Sequence, residues 1–204
     1  MVLASKTKRK KITILPAYVV YEEIDGKALP YKGFKEVLSK EKKIEEIMGS
    51  SALQAYIVHL LNGFLFNSLD RKKYFILTNE SGVNLSKGNN LANDVAIFLR
   101  DESNSFLKKE YMKSAPILAI EVDTKIEFDE ETYEEPKDYF VNKSNKLLEF
   151  GTEKVIWILT ESKKIFIAVP GKEWKIVDFD SDILLVDNCI LNLDKLLKEE
   201  GVEF

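Results

Sequence analysis

The stretches NDVAIFL (residues 93–99) and AIEVDTKIE (residues 119–127) decide how the chain folds. Each is an apolar, β-branched run of the length typical of a buried strand. Each also carries acids, because Asp94 lies in the first run and Glu121 and Asp123 interrupt the second. Since charged side chains are rarely buried unless they are paired or bind a metal ion, these acids indicate more than packing.

Alternation along a strand predicts where the acids of the second run point. Residues two apart share a face of a strand and lie about 6.5–7 Å apart, so Glu121, Asp123 and Lys125 are expected on one face. Asp94 is expected to add a carboxylate from a neighbouring strand. The alternative is ordinary ion pairing at the rim of the sheet, because 34 acidic and 30 basic residues make chance clusters common. Spacing alone does not decide between the two.

If the acids converge, Asp94, Glu121 and Asp123 are the candidate metal ligands. The chain has one histidine, His59, and one cysteine, Cys189, so these carboxylates would form a site of oxygen ligands. Such a site suits Mg²⁺ or Mn²⁺ and disfavours zinc. A lysine beside the metal can position a water or stabilise charge on a phosphate. Together they are sufficient to hydrolyse a phosphodiester bond.

Composition predicts one soluble domain, residues 18–204, after a basic N-terminal tail, residues 1–17. The tail carries five basic residues within six positions: Lys6, Lys8, Arg9, Lys10 and Lys11. The net charge of −4 and the pI near 5.3 argue against a broad basic surface. A single cysteine excludes an intrachain disulfide and favours a cytoplasmic location. No run approaches the roughly 20 apolar residues of a membrane span, and no glycine-rich motif indicates an organic cofactor.

The order of the predicted elements is that of a mixed α/β protein with a central mixed β-sheet flanked by helices. An N-terminal β-hairpin is predicted around Asp25-Gly26, a pair that favours a primed turn. Residues 51–69 form a helix that is apolar on almost all sides, so we expect it to be mostly buried against the sheet. Residues 139–151 form a second long helix. Further strands are predicted at 74–80, 93–99 and 116–124, in KVIWILT and KIFIAV, and in short segments near the C-terminus.

Four stretches, in this order and spacing, resemble the Uma-two family of restriction endonucleases, within the PD-(D/E)xK nuclease superfamily. They are YEEIDGK (21–27), NDVAIFL (93–99), LAIEVDTK (118–125) and KSNKLLEFGTEKVIWILTE (143–161). The resemblance implies a restriction-endonuclease-like fold and an Mg²⁺- or Mn²⁺-dependent endonuclease whose partner is DNA. It also implies a homodimer, because cutting both strands of a duplex requires two sites.

By this resemblance Asp94 takes the role of the motif aspartate and Glu121 that of the acid on the second strand. The lysine departs from the pattern, because position 123, where the motif places it, is Asp123. Either the motif is shifted by two residues, which makes Lys125 the lysine, or the lysine comes from the following helix. Lys143 fits the second option, since it lies eight residues before the glycine that ends that helix. The resemblance favours Glu121 with Lys143, and Lys125 remains the alternative.

A second function stays open at this point. The misplaced lysine and the acidic pI favour a nuclease-fold protein whose activity has lapsed, and which serves as a nucleic-acid-binding or assembly module. The three acids favour the active endonuclease.

Overall fold

A computed structural model of the chain describes residues 15–100, 109–123, 126 and 136–203. Residues 1–14 of the predicted basic tail lie outside the described residues, and so does Lys125. The strands are β1 (Val20–Ile24), β2 (Lys27–Pro30), β3 (Tyr74–Ser86), β4 (Asn89–Leu99), β5 (Leu118–Val122), β6 (Lys154–Leu159), β7 (Lys164–Ala168), β8 (Lys175–Asp178), β9 (Ile183–Leu184) and β10 (Ile190–Leu191). The α-helices are α1 (Phe34–Leu38), α2 (Ala52–Ser68), α3 (Pro136–Phe150) and α4 (Leu193–Glu199).

Eight of these strands form one sheet, and β9 and β10 pair separately. The strand order is β2-β1-β4-β5-β6-β7-β8, and β3 pairs with β4. Strands β5 and β6 are parallel and are joined through α3, whereas the other pairs are antiparallel. The predicted mixed α/β fold with a central mixed sheet is therefore confirmed. The two strands that carry the acids, β4 and β5, are neighbours as predicted.

The N-terminal hairpin forms at the predicted pair. Asp25 and Gly26 both have positive φ, 52° and 72°, which is the backbone of a type I′ turn. The turn brings β1 and β2 together, and β1 then pairs with β4 at Glu23 and Asn90. The hairpin therefore extends the sheet beside the first acid-bearing strand.

Strands β3 and β4 are longer than predicted. They run from residue 74 to 99 with only the tight Lys87-Gly88 turn between them, and Gly88 has a φ of 79°. The sequence did not predict this extension, because residues 79–90 are mostly polar. A half-exposed strand with many Asn and Ser residues lacks a clear apolar alternation.

The two faces of the sheet bury different helices. Helix α2 packs on the face to which Val95, Ile97 and Ile120 point. Helix α3 packs on the opposite face, with Tyr139 and Leu147 against alternate residues of β5 and β6. Because residues alternate, an acid that follows Ile120 in β5 points toward α3. The layer between β5 and α3 is thus where Glu121 is buried.

Helix α2 differs from its prediction. Its described side chains are buried on one face only, at Gln54, Ile57, Leu60, Leu61 and Leu65. Leu53, Tyr56 and Phe66 lie on the exposed face, and so does His59. The expectation of a mostly buried helix was wrong because apolar residues on both sides of a helix do not show which side the sheet covers. No helix in the described ranges is long and apolar enough to cross a membrane.

Ile120 tests this arrangement of the core, since its side chain is fully buried between β5 and α2. We expect Ile120→Ala to lower the free energy of unfolding by about 2–5 kcal/mol, because it leaves a cavity in a packed layer. Ile176→Ala is the matched control, since Ile176 is 66% exposed in strand β8, and should change stability by less than about 0.5 kcal/mol. Urea denaturation measures both. Equal effects of the two variants would contradict this packing.

Candidate active site

The first two predicted site residues face each other across β4 and β5. Val95 pairs with Ile120, so Asp94 and Glu121 occupy the next opposed positions of the antiparallel register. Both side chains are buried, at 6% and 3% exposure. One oxygen of Asp94 also accepts a hydrogen bond from the Val122 backbone N–H at 2.8 Å. The two carboxylates that the sequence placed on neighbouring strands are therefore brought together.

Lys143 supplies the positive charge at this position. Its ammonium lies 3.1 Å from Glu121 Oε2 and 2.6 Å from Glu22 Oε1, and it donates to the Ala92 carbonyl at 2.6 Å. Its stem passes the rings of Tyr139 and Trp157, whose centroids lie 5.8 and 5.5 Å from the ammonium. Three contacts use the three protons of an ammonium, so Lys143 is fixed in orientation as well as in charge.

Glu22 completes the buried group, although the sequence analysis did not assign it. Its two oxygens accept hydrogen bonds from Lys143, from the Tyr139 hydroxyl at 2.6 Å and from the Ala92 backbone N–H at 2.9 Å. Its signal was present in the sequence, because Glu22 lies two residues before Ile24, on the same buried face of β1. The same reasoning that singled out Asp94 and Glu121 would have applied to it.

Two buried carboxylates share one ammonium, and this imbalance shifts the pKa of Glu121. Burial raises the pKa of Glu121 well above its usual value, and the nearby charges of Asp94 and Glu22 raise it further, against the opposing effect of Lys143. Burial alone would lower the pKa of Lys143, but Glu121 and Glu22 together raise it above its usual value. Lys143 therefore stays protonated. Glu121 is the residue of the cluster that can bind a further proton or a cation.

Gln54 holds Asp94 from the other side. This residue lies in the first turn of α2, and its side-chain Nε2 donates to both oxygens of Asp94 at 3.1 and 3.3 Å. Ser51 caps the same helix by accepting from the Gln54 backbone N–H at 3.1 Å. The sequence analysis missed this residue too. The sequence does indicate that Gln54 is buried, because its helical spacing places it on the same face as Ile57 and Leu61.

Asp123 does not follow the alternation expected from the sequence. Strand β5 ends at Val122, and Asp123 has a φ of 56°, in the left-handed region. Its carboxylate accepts hydrogen bonds from the Thr160 backbone N–H at 2.8 Å and from the Thr160 hydroxyl at 2.7 Å. The expectation that Asp123 shares a strand face with Glu121 therefore fails at the strand end. Its role as a third metal ligand stays a prediction.

The available oxygen atoms fit a hard cation. Within the described part of the chain, Glu121 Oε1 is buried and has no hydrogen-bond partner, and an unpartnered buried carboxylate oxygen is costly. Asp94, directly opposite, offers further carboxylate oxygens of the kind that Mg²⁺ and Mn²⁺ prefer. Among the residues that the structure describes, no three His, Cys, Asp or Glu side chains are grouped to hold a metal.

Two cavities give access to the cluster. One, of about 290 Å³, is lined by Asp94 together with Asn79 and Glu80 of β3. The other, of about 1000 Å³, is lined by Gln54 and Asp123 and by these further polar residues: Lys32, Lys42, Glu46, Ser51, Thr160, Glu161 and Ser162. The lining of the second cavity holds two lysines and three acids, so it is not a positive surface.

Comparisons with known proteins agree with this geometry at the level of the fold. No family model matches the chain, and no curated protein matches its sequence. A solved structure from Anabaena variabilis, described as "a putative nuclease belonging to DUF820", matches with a TM-score of 0.61. The match covers 91% of this chain and 93% of that one, at 15% sequence identity. DUF820 is another name of the Uma-two family, so the predicted restriction-endonuclease-like fold is confirmed.

The raised pKa of Glu121 predicts how stability depends on pH without divalent metal. The folded protein binds this proton more tightly than the unfolded chain, so its stabilising effect is complete below the unfolded pKa of about 4.3. The effect is lost as pH rises through the raised pKa. The Glu121→Gln variant has no ionisable group at this position, so it does not lose this stability as pH rises. The stability of the variant relative to wild type should therefore increase from about pH 5 to pH 8, by up to about 1.4 kcal/mol per unit of pKa shift.

Urea denaturation at several pH values measures this difference. Glu149→Gln is the matched control, because Glu149 is exposed on α3, and its curve should run parallel to that of wild type. A Glu121→Gln curve that is also parallel to wild type would show that Glu121 gains no proton affinity on folding.

Proposed function

We propose that this chain is a metal-dependent endonuclease that hydrolyses phosphodiester bonds of DNA. The observation that carries the proposal is the buried group of Asp94, Glu121 and Lys143, contributed by β4, β5 and α3. The likeness in fold to a protein described as a nuclease supports it. Asp94 and Glu121 would hold Mg²⁺ or Mn²⁺. When bound, such an ion lowers the pKa of a coordinated water and neutralises charge on the phosphate.

Each protein residue has a distinct task in this proposal. Gln54 and the Val122 N–H orient Asp94. Lys143 stays protonated, so it serves as a positive charge for the phosphate and as an orienting donor for Glu121, and it is not the base that deprotonates water. The contact between Lys143 and Glu121 supports Lys143 over Lys125 as the lysine of the motif.

The wider proposal follows from the same chemistry. We take residues 18–204 as one nuclease domain that acts in the cytoplasm after a basic tail of residues 1–17. A homodimer would provide two sites for the two strands of a duplex.

One observation favours the second candidate, a nuclease-fold protein with lapsed activity that binds nucleic acid or assembles with partners. All three protons of Lys143 are used within the protein, and no ready group of three ligands occurs among the described residues. In that case the cluster stabilises the fold and neither binds Mn²⁺ nor cuts DNA.

Cleavage of supercoiled plasmid DNA with Mn²⁺ separates the two candidates. For an endonuclease we expect Asp94→Asn to lower the rate of nicking by about 10²–10³-fold, since it removes a charge that stabilises the reaction but little volume. Lys143→Met should lower it by a similar factor. Lys146→Met is the matched control, because Lys146 lies one turn away on α3 and pairs with Asp25 at the surface, and should cleave as wild type does.

Thermal unfolding of each variant checks that the fold is intact, since Lys143→Met leaves two buried carboxylates without their cation. Asp94→Asn keeps the test decisive if Lys143→Met fails to fold. Nicking by Asp94→Asn at the wild-type rate, or no nicking by the wild-type protein, would contradict the endonuclease proposal.

A further inference from the structure

A cavity of about 680 Å³ borders Glu22, and the proposed function does not use it. It shares Glu22 and Ala92 with the buried cluster, so it is a direct neighbour of the proposed site. Its remaining polar and aromatic lining is Tyr21, Glu23, Asn84, Asn90, Glu110, Tyr111 and Lys113.

The ring of Tyr111 is held in place from one side. A Cβ atom at Gly82 would lie 2.7–2.8 Å from three ring atoms of Tyr111, which is closer than any side chain permits. The φ of Gly82 is not in the left-handed region, so close approach of the ring, and not backbone conformation, requires a glycine there. The Tyr111 side chain nevertheless remains 58% exposed.

Backbone hydrogen bonds fix this segment to the sheet. Met112 donates to the Gly82 carbonyl at 2.9 Å, and its own carbonyl accepts from the Asn84 N–H at 2.8 Å. Residue 112 thereby pairs in parallel with Val83 of β3. The ring is therefore oriented before any ligand arrives, and a preoriented ring saves ordering entropy on binding.

The other groups of the cavity select the kind of ligand. The carboxylates of Glu23 and Glu110 lie in the lining, and Lys113 pairs with Glu110 at 3.2 Å, so a phosphate would meet net negative charge. The side-chain amides of Asn84 and Asn90 each offer a donor and an acceptor. An aromatic face, two amides and a carboxylate match an uncharged planar ring with amino groups on its edge.

We propose that this cavity binds one unpaired nucleobase of the nucleic-acid substrate, with the base stacked on the exposed face of Tyr111. The inference rests on the proposed function, because the neighbouring carboxylates are what would cut the strand. The base must be unpaired, since both faces of a base inside a duplex are already stacked. The protein therefore binds DNA at a base that is out of the stack, either in a single strand or extrahelical within a duplex.

A 12-nucleotide single strand that carries one 2-aminopurine and a fluorescein end label tests the proposal, because stacking quenches 2-aminopurine and anisotropy of fluorescein reports binding. All measurements use the full chain with Asp94→Asn, so that the strand is not cut. Addition of this protein should quench 2-aminopurine. Tyr111→Leu, which still covers Gly82, should abolish the quenching and weaken binding by about 5- to 150-fold, the range of one lost base–aromatic stack.

Tyr56→Leu is the matched control, because Tyr56 is an exposed tyrosine on α2 outside the cavity lining, and should leave both signals unchanged. Gly82→Ala keeps the tyrosine but displaces its ring, so it should also reduce the quenching if Tyr111→Leu fails to fold. Binding with quenching that is the same in Tyr111→Leu would overturn the cavity proposal and leave the proposed function intact. No binding of the strand by the parent protein would overturn the cavity proposal, whereas nicking of duplex plasmid tests the proposed function separately.

Discussion

The ion pairs of Lys143 with Glu22 and Glu121 are the interaction on which the rest of the structure depends. They remove one ammonium and two carboxylates from water, and each ion pays a desolvation cost of several kcal/mol that only well-made contacts offset. Breaking one side of such a buried pair costs about 3–5 kcal/mol. The positions of α3, of the N-terminal hairpin and of β5 are therefore set together, because each contributes one of the three charges.

The same cluster connects the fold to a chemical capability. Burial raises the pKa of Glu121, and the charges of Asp94 and Glu22 raise it further because Lys143 cannot neutralise all of these carboxylates. One buried oxygen of Glu121 has no hydrogen-bond partner among the described residues. A proton can correct this imbalance, and so can a divalent cation shared with Asp94. Gln54 keeps Asp94 oriented toward this position from the opposite helix. The stability of the protein and its proposed catalysis are therefore two consequences of one charge imbalance.

Much of this arrangement could be predicted from the sequence, because local patterns carry it. The Asp25-Gly26 turn and the acids inside apolar strands were sufficient for the hairpin, for the adjacency of β4 and β5 and for Asp94 and Glu121. The contact between Glu22 and Lys143 could not be predicted from local sequence patterns, since these residues are 121 positions apart. Nor could alternation foresee that Asp123 adopts a left-handed φ and leaves the strand.

The measurement that tests the central claim most directly is the number of protons released when Mn²⁺ binds. Calorimetric titrations in buffers of different ionisation enthalpy give this number. If Mn²⁺ competes with protons for Glu121, whose pKa burial raises, binding should release protons, and fewer of them as pH rises. Glu121→Gln should release none. Mn²⁺ binding without proton release at any pH, or release that persists in Glu121→Gln, would contradict the account.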